Sequence, residues 1–369
     1  MLKETRQKYS GCDSILCVTV AILVLIGIVM VFSSSAAYTE HNDSFYFLKR
    51  QVLWCLLGTG LLLITKNLDY HKLHQYTYPI MIFTFLLLVV VMFPEFSKKV
   101  GGARRWLAFG GFSFQPSELA KFTLVLFIAK SLVKRADKLR SFAYGYLPNL
   151  IVLGFFFIPI FFQPDFGAVM VILAVTFTML FIAGLRKKFL FLSILAIIPI
   201  VTLAILFAEY RTRRIIAFLN PWEDPSGVGF QVIQSFYAFG RGGFWGAGLG
   251  ESSQKLYRLP EAHTDFIFSV IGEELGFVGT TAIVLLFLIF IWRGFLTAYQ
   301  AKDPFGTHLA TGLTLLIGLQ AFINLGVASG LLPTKGLTLP FISMGGSSML
   351  VTMLSVGVIL NISEQTAKH

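Results

Sequence analysis

Stretches of about twenty mostly apolar residues recur from one end of the chain to the other, separated by short polar segments. Each is long enough to cross about 30 Å of hydrocarbon as a helix. Their edges predict ten spans, at roughly 14–35, 51–66, 77–93, 117–133, 146–163, 166–184, 189–208, 266–292, 307–330 and 344–363. The eighth is long and is expected to begin as a half-turn outside the membrane. The second and fourth are weakly apolar, so neighbouring helices are expected to shield them. The short alternating segments of a membrane β-barrel are not evident. The expectation is an all-α, polytopic membrane protein forming one domain over residues 1–369, with a large extracytoplasmic loop at about 209–265 between spans seven and eight.

Composition agrees with the pattern. Of 369 residues, 56% are hydrophobic and 13% charged, and the mean hydropathy is +0.75. That excludes an ordinary soluble domain. Lys3, Arg6 and Lys8 precede the first apolar run, which is too long for a cleaved signal and reads as an uncleaved span. Cys12, Cys17 and Cys55 lie in or near the first two runs, where thiols act as small packing groups; no disulfide or metal site is read from them.

Charge orients the chain. Placing the N-terminus in the cytoplasm puts Lys66, Lys72, Lys134, Arg135, Lys138, Arg140, Arg186, Lys187, Lys188, Arg293 and Lys302 in short cytoplasmic loops. An even number of spans returns the C-terminus to the same side. Many cations then remain outside, among them Arg50, Arg104, Arg105, Arg211, Arg213, Arg214, Arg241 and Lys335. A long loop can be translocated regardless of charge, but "SKKVGGARRW" is short. An anionic ligand at the outer face is the expectation, and the net charge of +11 adds little because topology accounts for about half of it.

Charged residues inside spans are costly, at about 2.5–3.5 kcal/mol each, so they face partners or water. In "QPSELAKF", Glu118 and Lys121 are three apart on one helical face. They fit a self-satisfied ion pair, the wall of an outward-facing cavity, or both. In "QPDFG", Asp165 suits the cap of the sixth span. "LPTKGLTLPFISMGGSS" carries Lys335 in an irregular connection that suits either anion binding or plain packing. "GFQVIQSFYAFGRGG" has helical spacing and fits either a surface helix or one packed on the bundle. "GRGGFWGAGLG" follows no strand, so its glycines read as a close backbone path and not a nucleotide loop. In "PEAHTDFIFSVIGEELG", Glu261, His263 and Asp265 precede an apolar run, and Asp265 alone would read as a helix cap.

Taken in order, "GARRWL…QPSELAKF", "QPDFG", "GRGGFWGAGLGESSQKLYRLPEAHTDFIFSVIGEELG" and "LPTKGLTLPFISMGGSSML" resemble the SEDS family of bacterial peptidoglycan glycosyltransferases across nearly the whole chain. The likeness is greater to the FtsW branch, of cell division, than to the RodA branch, of elongation. It implies ten spans with both termini cytoplasmic, in a bacterial inner membrane at the division septum. It implies polymerisation of lipid II, an undecaprenyl-pyrophosphate disaccharide-pentapeptide, by inverting transfer with a lipid-pyrophosphate leaving group. It implies a class B penicillin-binding protein as transpeptidase partner, beside other membrane proteins of the division machinery; no nucleic acid is involved.

The resemblance places the catalytic acid residue at Asp265. It places substrate-binding roles at Arg50, Arg105, Trp106, Glu118, Lys121, Asp165, Arg241, Glu261, His263 and Lys335. A partly desolvated site would raise the Asp265 carboxyl toward the pH at which a base works. Glu273 and Glu274 read as structural, paired to a basic side chain that the sequence does not identify. No cofactor is demanded; a divalent cation, Mg or Mn, is compatible with the pyrophosphate, but no ligand cluster requires it. Met344 stands where the family usually has an aromatic residue, and Ala168 where threonine is commoner. The rival functions are a lipid II flippase and a non-catalytic scaffold of the division machinery.

Overall fold

The computed structural model describes residues 11–35, 45–100, 102–109, 112–207, 209–252 and 262–367. Among the described residues, twelve α-helices run in chain order: α1 (Ser14–Ser35), α2 (Tyr46–Asn67), α3 (Tyr70–Val90), α4 (Pro116–Lys134), α5 (Leu147–Phe162), α6 (Phe166–Ile182), α7 (Lys187–Leu206), α8 (Glu209–Leu219), α9 (Phe230–Gly242), α10 (Ile267–Gln300), α11 (Pro304–Ala328) and α12 (Gly346–Ala367). Seven helical segments among the described residues are long and apolar enough to cross a membrane, and α6 is a shorter apolar helix. The protein is therefore a polytopic helical membrane protein.

Its centre is α4, α11 and α12. Proline at its first turn starts α4, where a missing N–H costs nothing. This helix packs against α3, α6, α11 and α12, so its weak hydropathy reflects shelter from lipid. The same expectation fails for α2. Only Gln51, Trp54, Cys55 and Gly58 of α2 are buried, along the side that meets α12. The two backbones approach closely there: a Cβ on Gly346 would lie 2.2 Å from the Trp54 ring, and one on Gly357 2.0 Å from the Thr65 hydroxyl.

The all-α expectation needs correction between α3 and α4. β1 (Ser97–Val100), β2 (Ala103–Phe109) and β3 (Phe112–Phe114) form an antiparallel sheet in that order. Lys98 faces Trp106, and Leu107 faces both Ser97 and Phe114. The signal was present in the sequence. Gly101-Gly102 and Gly110-Gly111 each separate two short segments, the spacing of tight hairpin turns.

The helix predicted at 266–292 runs further, to Gln300, and is broken. Gly276 has φ 65° and ψ −161°, a conformation open to glycine and closed to most residues. The segment after α9 fills the break. Ala247 and Gly248 donate to the carbonyls of Glu273 (2.9 Å) and Glu274 (3.1 Å), and Phe277 and Val278 donate to those of Gly243 (2.9 Å) and Phe244 (3.2 Å). Backbone groups freed at the kink are thus satisfied within the protein. A Cβ on Gly246 would sit 2.2 Å from the Glu274 carbonyl, so the glycine run serves close approach. α9 packs along α10 and buries Val232, Ile233, Ser235 and Ala238, which decides its position in favour of the bundle.

Arg293 lies inside α10, not in a cytoplasmic loop as its charge suggested. It is buried, and its Nε and Nη2 each donate to Asp13 Oδ2 at 2.8 Å. Asp13 Oδ1 accepts from the backbone N–H of Leu16 (3.1 Å), so one carboxylate both caps α1 and binds it to α10. Glu273 and Glu274 also find partners. Arg241 lies 3.5 Å from Glu273, the Ser252 hydroxyl donates to Glu273, and the Ser33 hydroxyl donates to Glu274 at 2.7 Å. These are the structural roles expected of the two glutamates.

Candidate functional site

A cavity of about 600 Å³ opens where the starts of α4 and α6, the turn before α10 and the α11–α12 connection converge. Each wall owes its shape to local chemistry. Asp165 caps α6, accepting from the Ala168 N–H at 3.2 Å. Its second oxygen accepts from Gln115 Nε2 (2.8 Å) and Ser117 Oγ (2.7 Å). The cap residue therefore also fastens the start of α4. The backbone N–H of Gln115 donates to Ser347 Oγ at 2.9 Å and brings in α12.

Arg105, on β2, reaches across this turn. Its Nε donates to the Gln163 carbonyl (3.0 Å) and its Nη2 to that of Pro164 (2.6 Å). Those bonds fix the guanidinium at the cavity wall, next to Trp106 and Asp165. The sheet thus exists to carry Arg105 and Trp106 to the site.

Glu118 and Lys121 form the floor. Lys121 is 2% exposed, and its Nζ donates to Glu118 Oε1 (2.8 Å) and to Gln320 Oε1 on α11 (2.7 Å). Glu118 lines the cavity and Lys121 does not. Both readings of the pair therefore hold: it is a buried ion pair whose carboxylate faces the cavity.

Asp265 also lines the cavity. It is half-buried and precedes the helix cap, since α10 starts at Ile267 with Phe266 as N-cap. Its carboxylate lies against Gly336, where a Cβ would come 3.2 Å from Oδ2. Gly336 follows Lys335, whose ammonium stands 5.6 Å from the Phe166 ring centroid. Burial, and then the charge of Arg214, hold the Lys335 ammonium below the ordinary lysine range. Arg214, on α8, donates to the Thr334 carbonyl at 3.3 Å. In the loop itself, the N–H groups of Leu337, Leu339, Ile342, Ser343 and Met344 are all bonded within the protein. The connection is thus a packed loop that presents Lys335 to the cavity.

Of the residues expected from sequence, Arg105, Trp106, Glu118, Asp165, Asp265 and Lys335 line one cavity, with Lys121 directly beneath. Arg50, Arg241 and His263 do not line it. Arg50 donates to the Tyr46 hydroxyl (2.7 Å) and lies over its ring. Arg241 serves Glu273. The His263 ring lies 4.7 Å from that of Phe47. Glu261 falls outside the described residues. Sequence reasoning left out Arg214, Gln115, Gln231, Thr338 and Ser348, all of which line the cavity. Arg214 was visible as an outer cation, but nothing in its neighbours marked it from Arg211 or Arg213.

Gly336→Ala tests how tightly the wall is set. The added methyl forces the Asp265 carboxylate to give by a few tenths of an ångström. The expected result is a loss of about 10-fold in the rate of the chemistry done there, with thermal unfolding unchanged, read by assay and melting curve on one preparation.

The FtsW/RodA/SpoVE family profile, described as cell cycle protein, matches residues 13–368. A probable peptidoglycan glycosyltransferase FtsW from Geobacter sp. (strain M18) is 46% identical over 359 residues, covering 97% of this chain and 98% of that one. Stage V sporulation protein E of Bacillus subtilis (strain 168) is 42% identical over 359 residues, covering 96% and 98%. Among solved structures, a chain from a peptidoglycan synthase complex, studied for the structural coordination of polymerization and crosslinking, superposes with a TM-score of 0.81 at 31% identity, covering 97% and 99%. The rod shape determining protein RodA of Thermus thermophilus gives a TM-score of 0.71 at 25% identity, covering 98% and 99%. With the match running through nearly every residue from the first helix to the last, the chain belongs to the FtsW/RodA/SpoVE family of cell cycle proteins.

Proposed function

We propose that this protein is a peptidoglycan glycosyltransferase that polymerises lipid II at the outer face of the cytoplasmic membrane during septal wall synthesis. The observation that carries the reading is the meeting of one half-buried carboxylate, Asp265, with Lys335, Arg214 and Arg105 around a single cavity. A carboxylate can take a proton, and the cations can hold a departing pyrophosphate. Relatives named peptidoglycan glycosyltransferase support the activity. The full arrangement we propose has ten spans, α1–α7 and α10–α12, with both termini cytoplasmic and α8 and α9 in the outer loop.

The growing glycan, on its lipid pyrophosphate, is the donor. The 4-hydroxyl oxygen of the incoming lipid II attacks the donor's anomeric carbon from the face opposite the leaving group. The carbon–oxygen bond to the pyrophosphate breaks as the new one forms, and configuration inverts. Asp265 receives the hydroxyl proton. Lys335 and Arg214 offset the charge that grows on the pyrophosphate. Trp106 offers an aromatic face to a sugar, and Glu118 and Asp165 shape the polar wall.

Glu118, Asp165 and Asp265 share the cavity, yet among the described residues no three acidic, histidine or cysteine side chains gather at metal-binding spacing. Two of these carboxylates are already committed to Lys121, Gln115 and Ser117. A divalent cation would be carried by the pyrophosphate. A flippase would place its essential charges near the midplane with access from both ends; these lining groups come mostly from helix starts and loops at one end. A class B transpeptidase is the proposed partner, in keeping with the synthase complex whose chain this one resembles.

The direct test is polymerisation of labelled lipid II by purified protein, with and without the transpeptidase. Glycan ladders are expected; transport of lipid II between leaflets without polymer would defeat the reading. A pH profile adds detail. The lowered Lys335 pKa means that its ammonium is charged at low pH and loses its proton earlier on the alkaline side than free lysine does. Activity is expected to fall on that side, and Lys335→Arg, which keeps its charge, is expected to move the fall to higher pH.

A further inference from the structure

Two amides on one face of α11 join walls of the cavity that do not otherwise share a helix. Gln320 and Asn324 are four residues apart, one helical turn. They are 4% and 1% exposed, and neither lines the cavity. Buried amides are costly unless they are bonded, so what they bond to is informative.

Asn324 Nδ2 donates to the backbone carbonyls of Asp265 (3.0 Å) and Leu337 (2.5 Å). Gln320 Nε2 donates to the next carbonyl, Thr338 (3.2 Å), and to Ser348 Oγ (3.3 Å), while its Oε1 accepts from Lys121. One helix therefore grips consecutive carbonyls of the α11–α12 connection. At one grip it also holds the backbone of Asp265, and at the other the Glu118–Lys121 pair. The two residues before the grip are Lys335, which lines the cavity with Asp265, and Gly336, which lies against the Asp265 carboxylate.

We propose that Asn324 is a positioning residue for glycosyl transfer, setting the Asp265 carboxylate against the loop that bears Lys335, with Gln320 doing the same for the Glu118 side. This rests on the polymerase reading above. The chemistry follows from geometry: a base and a leaving-group cation must hold their separation while the acceptor hydroxyl moves between them. A displacement near 1 Å costs about 10²-fold in rate. The Asn324 amide bonds, in a single step, to the main chain on both sides of that separation.

The test uses the full chain with its transpeptidase partner and labelled lipid II. Asn324→Ala is expected to lower kcat about 10- to 100-fold with KM for lipid II within about twofold, because substrate contacts are untouched. Rates are normalised to folded protein by size-exclusion profile and thermal melt. Asn324→Ser, which keeps a donor of shorter reach, is expected to fall between Ala and wild type and serves in place of Ala should that variant not fold. Gln320→Met is expected to lower kcat in the same manner. A kcat loss no greater than the loss of folded protein, or a rise in KM with kcat unchanged, overturns the inference while leaving an active wild type and the polymerase reading standing. A wild type that makes no polymer removes the reading and this inference together.

Discussion

The Asp265→Asn variant is expected to polymerise lipid II about 10²- to 10⁴-fold more slowly than the wild type while melting at the same temperature. The size of the loss follows from the role. Asparagine has nearly the same shape but cannot take a proton from the attacking hydroxyl. Retention of the fold follows from the surroundings. The side chain is half-exposed on a cavity wall, and the α10 cap is the next residue, Phe266. The contact that ties this turn to α11 uses the Asp265 backbone carbonyl, which the substitution keeps. Rate from a lipid II assay and stability from a melting curve, taken on one preparation, check both halves.

Breaking the pair beneath the cavity has the opposite profile. Glu118→Leu leaves the Lys121 ammonium, 1% exposed at its side chain, with Gln320 as its acceptor among the described residues. A buried charge deprived of its counter-ion costs about 3–5 kcal/mol. The single variant is therefore expected to unfold at markedly lower temperature or denaturant. Adding Lys121→Met removes the stranded charge and recovers most of the stability, since a buried ion pair and an apolar pair of similar volume are often close in free energy. Activity is not expected to return in the double variant, because Glu118 faces the cavity and Lys121 anchors Gln320. Equilibrium unfolding of both variants in detergent checks this. A Glu118→Leu protein as stable as the wild type would contradict this.

Sequence showed the frame of the fold where local pattern decides it. The first apolar run coincides with α1, at Ser14–Ser35, because twenty-odd residues without a charge admit few structures in lipid. Asp165 was legible as a cap because a capping aspartate acts on its own helix. What escaped depends on residues far apart in the chain. Arg293 read as a loop cation because its partner, Asp13, lies 280 positions away. The break at Gly276 is stable only because the segment after α9 fills it. Two Gly-Gly pairs divide the three short strands, a hairpin signal that composition and charge do not show.

The site divides the same way. Family motifs pointed to Asp265, Glu118, Arg105 and Lys335, which line one cavity, and to Lys121, which is bonded to Glu118. They pointed to Arg50, Arg241 and His263 too, whose side chains do not line it. Arg214 reaches the cavity only because α8 lies beside the Thr334 carbonyl, and no local pattern announces that. Asn324 looks like an ordinary polar residue in an apolar helix until its two carbonyl partners are seen together.

The account turns on a carboxylate that moves a proton and does not merely hold the lipid. Binding of lipid II to purified Asp265→Asn protein, measured beside polymer formation in the same sample, separates these roles. Wild-type affinity is expected, with polymer formation slowed about 10²- to 10⁴-fold. A variant that no longer binds lipid II, or one that polymerises at the wild-type rate, would contradict it.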